Sequence, residues 1–191
     1  MKAAEPIPTL PPGARIWPLS VTAYRALGEA GLIPKNTELL NGIVYKKMSK
    51  SPLHSALVRE LLKLLAQVQL PGCFVSSEQP ITCDDYSEPE PDVAVIRGSQ
   101  DNFWHDHPNT AELVIEVCVT SHDYDRSKLS AYAGAGVKEC WLVLGPEKQI
   151  EVHRNPGDGK FSQRQTCGPG GTLTSVAVPA FSLDLNALFA K

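Results

Sequence analysis

The chain has 191 residues, 42% of them hydrophobic and 20% charged, ordinary proportions for a globular protein long enough to bury a core. Its formal net charge of −3 excludes the overall basic footprint of a general nucleic-acid binder, so any DNA contact needs a local patch or metal ions that offset acidic groups. No apolar run approaches the ~20 residues of a membrane helix, and no membrane association is expected.

Residues 1–18 form a Pro-rich arm, expected to be flexible and lacking the apolar centre of a signal peptide. Residues 19–191 read as one domain without repeats or linkers. Ser20 or Thr22 can cap a short helix that runs to Ala30, stopped by Gly31 and Pro34. Residues 37–48 suggest a hairpin turning at Asn41-Gly42. Ser51-Pro52 then supplies a cap and an N1 proline for the best helix, in which Leu53, Leu57, Leu61, Leu64, Leu65 and Val68 recur at helical spacing before Pro71-Gly72.

Residues 73–76 and 81–83 read as strands, and the acidic stretch 84–91 leads into a strand at Val93-Ala94-Val95-Ile96. Residues 99–109 read as a polar surface loop, and the HxH within it, His105-Asp106-His107, is discounted as a metal site because such pairs in polar loops are mostly solvated. A strand at 113–119, a helix from about 125 to 135 ended by Gly136, and a strand at 140–144 predict a parallel pair joined by a right-handed crossover. Residues 149–154 should return antiparallel, 160–165 and 173–177 are weaker strands, and 185–190 closes the chain as a helix. The order defines an α/β (α+β) domain with a mixed central sheet flanked by helices. The five cysteines show no CxxC or Cys/His spacing, which points to reduced thiols and a cytoplasmic location.

Glu116 stands inside the run Leu113-Val114-Ile115-Glu116-Val117-Cys118-Val119, where an ionised carboxylate needs a cation or a dense set of donors. Alternation puts Glu112, Val114, Glu116 and Cys118 on one face and an apolar set on the other. Asp92 opens the preceding strand and shares a face with the small Ala94. If the two strands pair, Asp92 and Glu116 reach one cation, and Mg²⁺ commonly takes only one or two protein carboxylates. Lys128, on the helix after the Glu116 strand, is the candidate amine, with Tyr132 one turn further on the same face and Arg126 a candidate phosphate contact. His54, at the start of the long helix, could reach a scissile phosphate or move a proton, and Glu38 could add a third carboxylate. Blander roles stand beside each of these. Asp92 can serve a turn after Pro91, Glu116 can form a structural ion pair with Lys128 or Arg126, His54 can cap a helix, and Glu38 can be an exposed hairpin acid.

Taken in order, Glu38-Leu39-Leu40-Asn41-Gly42, Met48-Ser49, His54, Pro91-Asp92-Val93, the block from Glu112 to Val117, Asp125-Arg126-Ser127-Lys128-Leu129, Tyr132 and the block from Gly136 to Val143 resemble the Uma-two family. That family is a restriction-endonuclease-like branch of the PD-(D/E)XK nucleases. The resemblance spans roughly residues 19–189 and implies a restriction-endonuclease-like core. It further implies Asp92 and Glu116 as ligands of Mg²⁺ or Mn²⁺, Glu38 near the site, DNA as substrate and a possible homodimer. The usual ExK lysine is missing, since Cys118 stands two residues after Glu116, and the resemblance implies that Lys128 takes its place from the following helix. Val119-Thr120-Ser121 departs from the family's usual Ser-Pro-Ser. The implied activity is metal-assisted phosphodiester hydrolysis with Lys128 positioning the attacking water; a non-catalytic nucleic-acid-binding module that keeps the fold is the alternative.

Overall fold

Strand β5 (Leu113–Cys118) is buried at every position, because it lies inside the sheet and carries side chains that both layers of helix can cover. The computed structural model that shows this describes residues 12–120 and 122–190. The Pro-rich arm falls mostly outside them; residues 12–18 are exposed and irregular.

Six strands form the central sheet in the order β3-β4-β5-β6-β7-β8. They are β3 (Cys73–Ser76), β4 (Val93–Arg97), β5, β6 (Glu139–Leu144), β7 (Gln149–Gly157) and β8 (Lys160–Cys167). The expected parallel pair is β5 with β6, and the other neighbours run antiparallel. Leu113, Ile115 and Val117 point to one face, where they meet Leu57, Leu61 and Leu65 of α2 (Pro52–Leu65) and Leu185 and Leu188 of α5 (Leu185–Phe189). Val114 and Cys118 point to the opposite face, with Cys140, Leu142 and Tyr132. The strand alternation read from sequence therefore sorts the core into two layers.

Two short helices cover that second face, and here the sequence expectation needs correction. A single helix from about 125 to 135 is instead α3 (His122–Ser127) and α4 (Leu129–Gly134), with Lys128 between them. The Ser127 hydroxyl bonds the Tyr124 carbonyl at 2.6 Å, and the Lys128 N–H turns to Asp125 O at 3.2 Å, so the helix tightens where α-helical bonding would have continued. Asp125 thus lies inside α3.

The hairpin is present as β1 (Thr37–Leu40) and β2 (Ile43–Lys46). Asn41 and Gly42 both take positive φ, 51° and 75°, as a tight two-residue turn demands, and a side chain at Gly42 would collide with Pro18. Backbone bonds from Glu88 N to Leu39 O (2.8 Å) and from Gly42 N to Tyr86 O (2.7 Å) fasten the hairpin to the acidic stretch before β4. Helix α1 (Val21–Glu29) is capped by Ser20, whose side chain accepts from Ala23 N.

Other expectations shift. Residues 81–83 are not a strand, because Pro80, Pro89 and Pro91 remove ladder donors from this segment and its neighbour. Residues 173–177 shorten to β9 (Thr172–Thr174), which pairs with an unforeseen β10 (Ser182–Asp184). Helix α2 stops at Leu65, short of Val68, in a tightened last turn. Residues 99–109 include a 3₁₀ turn, Gln100–Phe103.

The reason β9 ends early is Glu139. This buried carboxylate accepts from Trp141 Nε1 (2.9 Å), Arg154 Nε (2.8 Å), Ser175 Oγ (2.6 Å), Val176 N (2.8 Å) and Ala177 N (3.1 Å), drawing the chain after Thr174 down onto β6. Burial alone would raise its pKa, but the bonds from Ser175, Trp141, Ala177 and Arg154 outweigh it and hold the group below the usual carboxylate range. Truncation strands those donors in the core. Glu139→Ala is expected to lower the unfolding free energy in urea by about 3–5 kcal/mol, whereas an unchanged midpoint would remove this anchoring role.

Candidate functional site

The β4–β5 register pairs Val93 with Ile115, so one further step sets Asp92 opposite Glu116 at the end of the pair. The backbone ladder gives way there to side chains. Asp92 Oδ2 accepts the Val117 N–H at 2.8 Å, and Glu116 Oε2 faces the Asp92 N–H at 3.4 Å. Two acids separated in the chain are thereby locked side by side.

Lys128 arrives from the junction of α3 and α4. Its Nζ lies 3.2 Å from Glu116 Oε1, 3.1 Å from Glu38 Oε1 and 3.9 Å from Asp125 Oδ1. Only 4% of Lys128 is exposed, and Glu116 and Glu38 are buried to the same extent. Glu38 is therefore not an exposed hairpin acid: β1 is buried along its length, and Glu38 Oε2 also accepts the Glu90 N–H at 3.0 Å. His54, on the first turn of α2, sets Nε2 3.1 Å from Asp92 Oδ2, while its buried Nδ1 has no partner among the described residues.

Two of the expected substrate contacts lie elsewhere. Tyr132 is fully buried and donates its hydroxyl to Glu116 Oε1 at 2.6 Å, so it positions a carboxylate and cannot touch a ligand in solution. Arg126 leaves the cluster altogether, donating Nη2 to Glu151 Oε1 at 2.6 Å and lying 3.5 Å from Asp123. Side chains two residues apart on a helix do not face each other, and Arg126 points away from Lys128 for that reason. Glu112, on the Glu116 face but at the opposite end of β5, is neutralised by Arg97 (2.8 Å) and Lys138 (2.6 Å). The loop residues His105, Asp106 and His107 are exposed, as expected.

Tyr124 belongs to the site and was missed. It donates to Glu38 Oε1 at 2.9 Å, its ring lies 5.2 Å under Lys128 Nζ, and it packs on Tyr45 at 5.1 Å between ring centroids. Its position one helical turn before Lys128 carried the signal, since i and i+4 share a face. Cys118, where an ExK motif would hold its lysine, is a buried thiol whose ionisation burial suppresses, so it supplies no charge.

Electrostatics separate Glu116 from three other buried glutamates. Glu112, Glu139 and Glu151 are all held below the usual range, because paired cations or multiple donors outweigh burial. Glu116 moves the other way, up to about 8: burial raises it most, Lys128 opposes, and Asp92, Asp125 and Glu38 add to the rise. Burial alone would discharge Lys128, but Glu116, Glu38 and Asp125 hold its ammonium protonated well above the ordinary lysine range. Several acids thus share one amine, and negative charge is in excess.

The cleft above these groups has about 100 Å³ of solvent space, lined by Glu38, Asp92, Glu116, Lys128, His54 and Tyr124 together with residues of the β2–α2 connection. That is well below the ~300–1,000 Å³ of a drug-sized pocket, so a large ligand would lie across its mouth. The described residues contain no group of three His, Cys, Asp or Glu side chains set in ready ligand geometry. Asp92 and Glu116 nevertheless present hard carboxylate oxygens in an acid-rich setting, which fits Mg²⁺ or Mn²⁺ completed by water and substrate oxygen. No disulfide joins the cysteines among the described residues, and no helix there is long and apolar enough to cross a membrane.

A mixed sheet carrying paired strand acids and an adjacent amine defines a restriction-endonuclease-like fold. The comparisons agree: residues 32–186 match the Uma2 family, described as "Putative restriction endonuclease", and the chain belongs to that family. The solved structure of a "putative nuclease belonging to DUF820" from Anabaena variabilis is similar at a TM-score of 0.74 and 18% identity, covering 91% of this chain and 98% of that one. At that identity the likeness speaks for the fold. No curated protein matches the chain. Family membership makes a nuclease the coarse functional class.

Raised acids have a stability signature. A carboxyl whose folded pKa exceeds its unfolded value contributes stability that is complete below the unfolded pKa and lost as pH climbs through the folded one. For Glu116 the window runs from its ordinary 4.5 to about 8. In EDTA, the unfolding free energy should therefore decline across that window by at most about 1.4 kcal/mol per pH unit and then level off. Glu116→Gln should flatten the decline; the same slope in the variant would assign it to another group.

Proposed function

We propose that this protein is a divalent-metal-dependent nuclease that hydrolyses DNA phosphodiester bonds. One observation carries the reading: Asp92, Glu116, Lys128 and Glu38, drawn from four separate segments of the chain, meet within hydrogen-bonding distances at the floor of one acidic cleft. In this reading Asp92 and Glu116 are the metal ligands, and Glu38 extends the acidic shell. A bound Mg²⁺ or Mn²⁺ supplies Lewis acidity at the phosphoryl oxygen and lowers the pKa of water.

The chain's own groups do the positioning. The Val117 N–H and His54 hold Asp92, while Tyr132 holds Glu116. Lys128, kept cationic by its acids, orients the attacking water and meets the negative charge that builds on the phosphoryl oxygens. His54 lines the cleft and turns its Nε2 to Asp92, so that it orients this carboxylate from the start of α2. Severing both strands of a duplex requires two such sites, which a homodimer would provide.

Incubation with supercoiled plasmid and with single-stranded DNA, with and without Mn²⁺, tests the proposal. Wild type is expected to nick or cut only with metal, and Asp92→Ala to lose at least about 100-fold of that rate, consistent with removal of a metal ligand. Equal cleavage by both proteins would remove the mechanism. DNA retention without cleavage under any condition would favour a non-catalytic binding module.

A further inference from the structure

Lys128 occupies an unusual position for a residue that only orients water. Its ammonium touches Glu38 and Glu116 at nearly equal distances, approaches Asp125, and lies over the Tyr124 ring. It is itself buried and so shares almost none of its charge with solvent. Asp92 stands on the other side of Glu116, adding a further acid.

Two cations placed on one carboxylate weaken each other's hold, and the effect is strong where water cannot screen it. Lys128 uses Glu116 Oε1, and the other oxygen, Oε2, faces the Asp92 backbone N–H. An ion taken up by Asp92 and Glu116 would therefore share a ligand with the ammonium. Without that ion, the same ammonium bridges Glu38 and Glu116.

We propose that Lys128 is a built-in counter-cation: it holds the acidic cluster together when the site lacks a divalent ion and, by competing for Glu116 and Glu38, lowers the affinity for that ion. The inference rests on the metal-dependent reading above and makes a demand that reading does not. Removing a lysine proposed to act in the chemistry should tighten metal binding. A lysine that merely oriented water or fastened Glu116 would, when removed, leave affinity unchanged or weaken it.

Calorimetric titration of the full chain with Mn²⁺, for wild type, Lys128→Met and Lys128→Arg, decides the matter, with thermal melts in EDTA and in Mn²⁺ alongside. Lys128→Met is expected to bind Mn²⁺ on the order of tenfold more tightly than wild type. Its Tm should also rise more on metal addition, while Lys128→Arg, which keeps the charge, stays near wild type. Equal or weaker binding by a folded Lys128→Met, when wild type binds, overturns the proposal. Should Lys128→Met fail to fold in EDTA, recovery of a cooperative melt with Mn²⁺ supports it, and an unfolded chain in both conditions overturns it. If folded wild type and variant both ignore Mn²⁺, the metal-dependent reading itself falls, and this inference with it.

Discussion

A carboxylate in the middle of a fully buried strand must find its counter-charge elsewhere in the chain, and Glu116 imposes that requirement on the whole second layer of the fold. Lys128 and Tyr132 reach it from α4 and its junction with α3, and the Asp92 backbone N–H faces it across the β4–β5 pair. Glu38 enters through the same lysine, on a hairpin that backbone bonds fasten against the acidic stretch before β4. The helix break at Lys128 belongs to the same arrangement, since it lies where the ammonium must turn into the cluster.

Two buried glutamates on neighbouring strands show how differently such a requirement can be met. Glu139 on β6 is supplied with donors on both oxygens and ionises more easily than a free side chain. Its work is to pin the segment after β9. Glu116 on β5 is under-supplied, competes with other acids for one amine, and ionises less easily. Both side chains are buried, although Glu139 opens β6 and Glu116 lies deep in β5. The balance of donors marks one as an anchor and the other as a group with unspent demand for a cation, the kind of perturbed acid that gathers at functional sites.

The arrangement also explains why a modestly acidic protein is compatible with a polyanionic substrate. Three of its buried acids are closed off by partly exposed arginines and lysines: Glu112 by Arg97 and Lys138, Glu151 by Arg126 and Arg164, Glu88 by Arg25. Unbalanced negative charge is concentrated in the cleft, where a divalent ion would neutralise it locally. Net charge, summed over the chain, conceals this distribution.

Local pattern sufficed for much of the framework. The cap at Ser51-Pro52, the Asn41-Gly42 turn and the parallel β5–β6 pair follow from short-range rules of backbone conformation and periodicity, which a linear sequence states directly. The same alternation put Asp92 and Glu116 on facing sides of adjacent strands, and spacing marked Lys128 and Tyr132 as one helical face. What sequence could not decide was which charged groups satisfy one another. Arg126 and Lys128 are two residues apart and so point to nearly opposite sides, one pairing with Glu151 and the other with Glu38 and Glu116; which acids stand on each side is set only by what the neighbouring strands present. The proline-bound segment 81–83, the pairing of β9 with β10 and the membership of Tyr124 were decided in the same way, by partners distant in the chain whose placement exists only once the tertiary structure has formed.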